Sequence, residues 1–136
     1  MGEILVAYDD SEMAKKALGR ATAMMKDGDE LIILYVIPIP LIKEFAGIVP
    51  ETTLVKAQEL VNNEVGELQK RKIKAIGVVR EGNIAEEIIK FSKELECEFI
   101  VMGSRGKGHE TVSPFVIGSV TENVIRGSSC PVFIVK

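Results

Sequence analysis

The sequence predicts an α/β fold: one doubly wound domain over residues 1–136, built on a five-stranded, mostly parallel sheet with helices on both faces. Three observations predict it. Short apolar runs rich in β-branched residues alternate from end to end with segments whose apolar residues recur at helical spacing. The runs are apolar at consecutive positions, as strands covered on both faces must be. With 136 residues, 46% of them hydrophobic and 27% charged, the chain can bury a core without disulfides or metals. No internal repeat, low-complexity run or second domain is visible.

The elements follow in order. Ile4-Leu-Val-Ala-Tyr8 is the first strand, and Ala14, Ala17, Leu18, Ala21, Met24 and Met25 line one face of the first helix. Leu31 to Ile37 is the second strand. The stretch Pro38 to Pro50 holds three prolines and many apolar side chains, so it either covers a crevice, packs on a partner, or is a plain surface loop. Leu54, Ala57, Val61, Val65 and Leu68 mark the second helix, and Ala75 to Val79 the third strand. Asn83 with Glu86 forms a capping arrangement for the third helix, whose Ile84, Ile88, Phe91 and Leu95 share one stripe. Phe99 to Met102 is the fourth strand. Ser119, with Glu122 three positions on, reads as a capping box opening the fourth helix, which carries Val120, Val124 and Ile125. Pro131 to Val135 closes the series as the fifth strand.

Strands alternating with helices give right-handed parallel crossovers, and ligands of such sheets sit at the carboxyl ends of the strands where the winding reverses. At that end of the fourth strand lies a loop holding Gly103, Gly106 and Gly108. Residues without a Cβ reach unusual φ values and admit a ligand closely, so backbone N–H groups there can converge on an anion. A tight solvent-exposed turn would use the same glycines. The helix start at Ser119 is a second anion site, because its first N–H groups lack partners and the helix dipole is positive there. Asp9 and Asp10 end the first strand and face the glycine loop across one cleft if strands one and four are neighbours.

Several function classes are excluded. A net charge of −3 and a pI near 5.3 argue against general binding to nucleic acid or anionic membranes. No apolar run reaches the roughly 18 residues of a membrane span, and the N-terminus lacks a signal-peptide pattern, which places the protein in the cytoplasm. Cys97 and Cys130 form no C-x-x-C pair and are expected to be two buried, reduced thiols. His109 is the only histidine, which excludes an imidazole-based metal site, and no metal site is assigned to protein side chains. No nucleophile elbow precedes a helix. A Walker loop is absent, and Gly103-x-x-Gly106-x-Gly108 follows the fourth strand with the wrong spacing for a dinucleotide fingerprint. A flavodoxin-type phosphate loop after strand one would meet the like charge of Asp9 and Asp10. A response-regulator receiver needs an aspartate after the third strand, and no aspartate follows Asp29.

Val6-Ala-Tyr-Asp-Asp-Ser-Glu12, Val79-Arg-Glu-Gly-Asn-Ile-Ala-Glu-Glu-Ile88, Ile100-Val-Met-Gly-Ser-Arg-Gly106 and Gly118-Ser-Val-Thr-Glu-Asn-Val124 together resemble the universal stress protein family, over nearly the whole chain. The resemblance implies strand order 3-2-1-4-5 and a homodimer made by the last strands, here Val132, Phe133, Ile134 and Val135. Its nucleotide-binding branch carries Gly-x2-Gly-x9-Gly-Ser/Thr and binds ATP, with magnesium or manganese. By that resemblance Gly103, Ser104, Gly106, Gly118 and Ser119 contact phosphates, with Val120 and Thr121 close by and Arg105 and Lys107 as neighbouring cations. Asp9, Ala7 and Tyr8 border the adenosine, and Val36 and Met102 seat the adenine. The chain departs from the pattern in one place: eleven residues, Lys107 to Ile117, separate Gly106 from Gly118. The longer turn around His109 either leaves both anchors intact, shifts the helix start, or brings Glu110 towards the terminal phosphate. The resulting expectation is an adenine-nucleotide-dependent stress sensor or regulator. The alternatives are a nucleotide-free dimer acting through protein partners and a slow ATPase.

Overall fold

A computed structural model describes residues 2–107 and 115–136. The elements are β1 (Glu3–Ala7), α1 (Glu12–Met24), β2 (Glu30–Pro38), α2 (Ile39–Glu44), α3 (Glu51–Lys70), β3 (Ala75–Gly82), α4 (Ile84–Leu95), β4 (Phe99–Gly103), α5 (Ser119–Gly127) and β5 (Val132–Val135). All five strands run parallel in the order β3-β2-β1-β4-β5, as the resemblance implied.

Strand pleating sends successive side chains to opposite faces, and both faces here are covered. Ile4, Val6, Leu31, Ile33 and Val101 pack with Ala14, Ala17 and Leu18 of α1 and Val61 and Leu68 of α3. Leu5, Ile32, Leu34, Ile100 and Met102 pack on the other face with Ile88 and Phe91 of α4 and Val124 of α5. This double cover explains why β1, β2 and β4 are apolar at consecutive positions. Strand β3 extends beyond the apolar run at 75–79, because Val36, Ile37 and Pro38 of the long β2 continue to pair with Arg80, Glu81 and Gly82. As an edge strand it tolerates those polar residues.

Helix α1 is capped by Ser11, whose Oγ accepts from Ala14 N at 3.1 Å, and α4 by Asn83, whose Oδ1 accepts from Glu86 N at 3.0 Å. The Asn83 cap is the one the sequence predicts. The capping box at Ser119 does not form. Gly118 is the N-cap, no side chain among the described residues caps the helix, and Ser119 is already its first helical residue. Gly118 N donates to Ser104 O at 2.8 Å while Gly118 O accepts from Glu122 N at 3.0 Å, which starts the helix one residue earlier than the Ser/Glu spacing suggests.

The stretch between Pro38 and Pro50 contains the short helix α2, which the sequence reading lacks. Pro38 and Pro40 occupy its N-cap and first turn, where a missing N–H costs nothing. Helix α2 buries no residue, and Phe45 and Ile48 beyond it are exposed. At the other edge of the sheet, β5 presents Phe133, whose ring meets Phe99 edge-on with centroids 5.0 Å apart. Cys97 is buried as expected, but Cys130 keeps partial exposure. No helix among the described residues is long and apolar enough to cross a membrane.

Helix α3 approaches β3 so closely that a Cβ added at Gly77 would collide with Val61 Cγ1. Val61 is fully buried and stiff at χ1, so it cannot swing away. Gly77→Ala is therefore expected to cost about 1–3 kcal/mol, read as a lower urea midpoint with an unchanged slope. An unchanged midpoint would contradict this contact.

Candidate functional site

Parallel pairing of β1 with β4, in the register Leu5↔Ile100 and Val6↔Val101, sets the loops after the two strands side by side. Between those loops and the start of α5 lies a cleft of about 520 Å³. Ala7, Tyr8 and Asp9 reach it from the end of β1, Val36 from β2, and Met102 and Gly103 from β4. Arg105, Gly106 and Lys107 line it from the following loop, and Gly118, Ser119, Val120 and Thr121 from the start of α5. Ser104 is the exception among the residues singled out from sequence. It is buried beneath the loop, its N–H donates to Val135 O at 2.9 Å, and that amide is spent on joining the loop to β5.

Other lining residues escaped the sequence reading: Ser11 and Ala14 at the start of α1, Leu34, Tyr35 and Pro38 on β2, and Ile84 and Ile88 on α4. The register Ala7↔Leu34 carries β2 past the end of β1, which brings Tyr35 and Pro38 to the rim. Val116 and Ile117 also line the cleft from the segment leading into α5. Gly108, His109 and Glu110, with the rest of 108–114, lie outside the described residues.

Asp9 ties the two loops together. Its Oδ1 accepts from Ser11 N at 3.0 Å, and its Oδ2 accepts from Lys107 N at 2.7 Å, a short charge-assisted bond across the cleft. Asp10 follows with φ of 66°, a left-handed conformation that aspartate tolerates better than most residues. Its carboxylate lies 3.9 Å from the ammonium groups of both Lys15 and Lys107. Tyr8 is buried, and its hydroxyl donates to Glu64 of α3 at 2.9 Å and lies 3.2 Å from Asp10 Oδ1. Burial first, and then the charges of Glu64 and Asp10, raise the phenol far above its ordinary range, so it stays a donor. Burial, followed by the charges of Asp9 and Asp10, also raises Tyr35.

The glycines serve close approach rather than unusual backbone. Gly103, Gly106 and Gly118 have ordinary φ; the positive-φ glycines among the described residues are Gly28, Gly47 and Gly82. A Cβ at Gly103 would stand 2.6 Å from Met13 Cβ, and one at Gly106 would stand 2.9 Å from Asp9 Oδ2. At Gly118 it would make only an ordinary 3.5 Å contact with Arg105 Cα and Ser104 O.

The first-turn N–H groups of α5, those of Ser119, Val120 and Thr121, have no intrahelical acceptor and no side-chain cap among the described residues. Thr121 Oγ1 donates to Gly103 O at 2.9 Å and pins this helix start against the end of β4. The arrangement offers main-chain donors and a positive dipole end to an anion, beside apolar walls from Leu34, Val36, Ile88 and Met102. Among the described residues no three His, Cys, Asp or Glu cluster as metal ligands. A magnesium ion here would take its oxygens from a bound polyphosphate and water.

The family model of the universal stress proteins matches residues 1–136. The chain belongs to the universal stress protein family. Curated relatives include YxiE of Bacillus subtilis, 35% identical with 98% of each chain covered. MJ0531 of Methanocaldococcus jannaschii is 32% identical, covering 98% of this chain and 81% of the relative. The solved structure of MJ0577 superposes with a TM-score of 0.88 at 34% identity, covering 99% of this chain and 95% of the other. This family member thus shares both the sequence pattern and the strand order of its relatives, while its site chemistry rests on the residues just described.

The Thr121 bond gives a test of how the site is held. Thr121→Val keeps the shape but leaves a buried carbonyl at Gly103 without its donor, an expected loss of about 1–2 kcal/mol in denaturant unfolding. A stability equal to the parent would show that the helix start is held otherwise.

Proposed function

We propose that the cleft binds an adenine nucleotide, ATP with magnesium or manganese, and that this universal stress protein acts as a nucleotide-dependent sensor or regulator. One observation carries the reading. The uncapped first turn of α5 lies at one end of an apolar-walled cleft, opposite a loop whose position Asp9 fixes. Phosphates would meet the amides of Ser119, Val120 and Thr121 and the loop around Gly103 and Gly106. Arg105 and Lys107, which also line the cleft, contribute positive charge. Adenine would lie against Val36 and Met102, with Ala7, Tyr8 and Asp9 along the nucleoside. Ser104 would support the loop from below, because its amide already bonds Val135.

Two fold neighbours lend support, each at 20% identity: a universal stress protein solved in complex with cAMP, and one from Archaeoglobus fulgidus solved in complex with dAMP. Asp9 is the only carboxylate lining the cleft among the described residues, and both of its oxygens accept main-chain N–H groups. It holds the loop rather than orienting water, so the reading is binding and regulation rather than rapid turnover. The outer edge of β5, through Val132, Phe133, Ile134 and Val135, would pair with a second copy to form a homodimer.

Isothermal titration with magnesium ATP tests the proposal. The expected result is binding with Kd tighter than about 0.1 mM, and at least a tenfold loss in Gly106→Val, with the variant's folded state checked by circular dichroism. The valine would crowd Asp9 Oδ2 and break the bond to Lys107. No heat from the parent protein would refute nucleotide binding, and unchanged affinity in the variant would refute this site.

A further inference from the structure

Cys97 and Cys130 stand 33 positions apart in sequence, yet their sulfurs are 3.7 Å apart. The topology brings them together. Cys97 follows the left-handed C-cap of α4 at Glu96 and leads into β4, while Cys130 sits in the turn that leads into β5. The parallel pair β4–β5 aligns Ile100 with Val132, and Ile100 N donates to Pro131 O at 2.9 Å. Ser128 fixes the second turn: its Oγ donates to Cys130 O at 2.9 Å, accepts from Cys130 N at 3.2 Å, and lies 3.3 Å from Cys130 Sγ. Both sulfurs belong to the core face that α4 and α5 cover. No three potential metal ligands cluster around the pair among the described residues.

Two thiols 3.7 Å apart, held by separate turns, have to close to a bonded separation of about 2.05 Å. We propose that Cys97 and Cys130 form a peroxide-responsive dithiol that closes to an intrachain disulfide. The bond would tie the α4–β4 turn to the α5–β5 turn, at the end of the sheet opposite the nucleotide cleft. The two cysteines differ in access: Cys97 is buried and Cys130 half-buried. Burial first, and then the neighbouring Cys130, push the Cys97 thiol up to about 12, so it stays protonated while the more accessible sulfur meets the oxidant.

The chemistry balances with hydrogen peroxide as the two-electron oxidant. The Cys130 sulfur attacks one peroxide oxygen, the O–O bond breaks, and sulfenic acid and one water result. The Cys97 sulfur then attacks the Cys130 sulfur, an S–S bond forms and the S–O bond breaks. The departing hydroxide takes the Cys97 proton and leaves as a second water. Two thiols are oxidised, and one peroxide is reduced to two waters.

The test treats the reduced protein with hydrogen peroxide, alkylates it under denaturing conditions with N-ethylmaleimide, and weighs the intact chain. The expected result is a fall from two alkylatable thiols per chain to none, with the mass lower by two hydrogens. The product should run as a single chain on a non-reducing gel and revert with dithiothreitol. Cys97→Ala should accumulate a dimedone-reactive sulfenic acid on Cys130, and Cys130→Ala should leave Cys97 alkylatable after the same dose. Parent protein that keeps both thiols alkylatable, or that joins two chains instead, overturns the proposal whatever the variants do.

Discussion

The cleft exists because β1 and β4 are nearest neighbours in a parallel sheet. Parallel pairing puts the carboxyl ends of both strands at the same edge, and the change of winding direction between them leaves the loops that follow uncovered by a crossover helix. The register that aligns Val6 with Val101 brings Asp9 within 2.7 Å of the Lys107 amide. A one-residue slip would turn every core side chain of the strand to the opposite face. The hydrophobic packing of Leu5, Val6, Ile100 and Val101 therefore fixes the geometry of the site as firmly as any polar contact within it.

Placing a carboxylate beside the proposed anion site looks unfavourable until its bonds are considered. Asp9 accepts two main-chain N–H groups, and that arrangement stabilises the charge locally while holding the glycine loop open. Neighbouring Asp10 is balanced by Lys15 and Lys107. Further positive potential comes from the first turn of α5, where the glycine at the N-cap brings no side chain to compete for the N–H groups. The glycine loop is anchored to β5 by Ser104 and the start of α5 to β4 by Thr121, so the proposed phosphate donors sit on rigid supports.

Much of this was legible in the sequence, because consecutive apolar positions and helical spacing report burial directly. The strands follow from that pattern, the Asn83 cap from its spacing to Glu86, and the named cleft residues from the resemblance to the universal stress protein family. What the pattern could not convey was how main-chain bonds are shared. Gly118 rather than Ser119 caps α5 because Gly118 bonds Ser104, a contact between segments far apart in sequence. The sequence offers two roles for the loop glycines, unusual φ values and close approach; at Gly103 and Gly106 φ is ordinary and the missing Cβ leaves space beside Met13 and Asp9. Helix α2 was hidden by its prolines, which are compatible with a first turn. Tyr35 reached the rim through the extra length of β2, and the Cys97–Cys130 contact through the β4–β5 pairing. Both are consequences of register, which no local motif encodes.

The central claim is that free amides at the start of α5 receive the phosphates of an adenine nucleotide. Amide-resolved NMR of the labelled protein, titrated with magnesium ATP, tests it most directly. The account predicts saturating shifts concentrated at Ser119, Val120 and Thr121 and at Gly106, with the outer strand β3 little changed. Shifts that leave the α5 amides in place, or that gather on another surface, would contradict it.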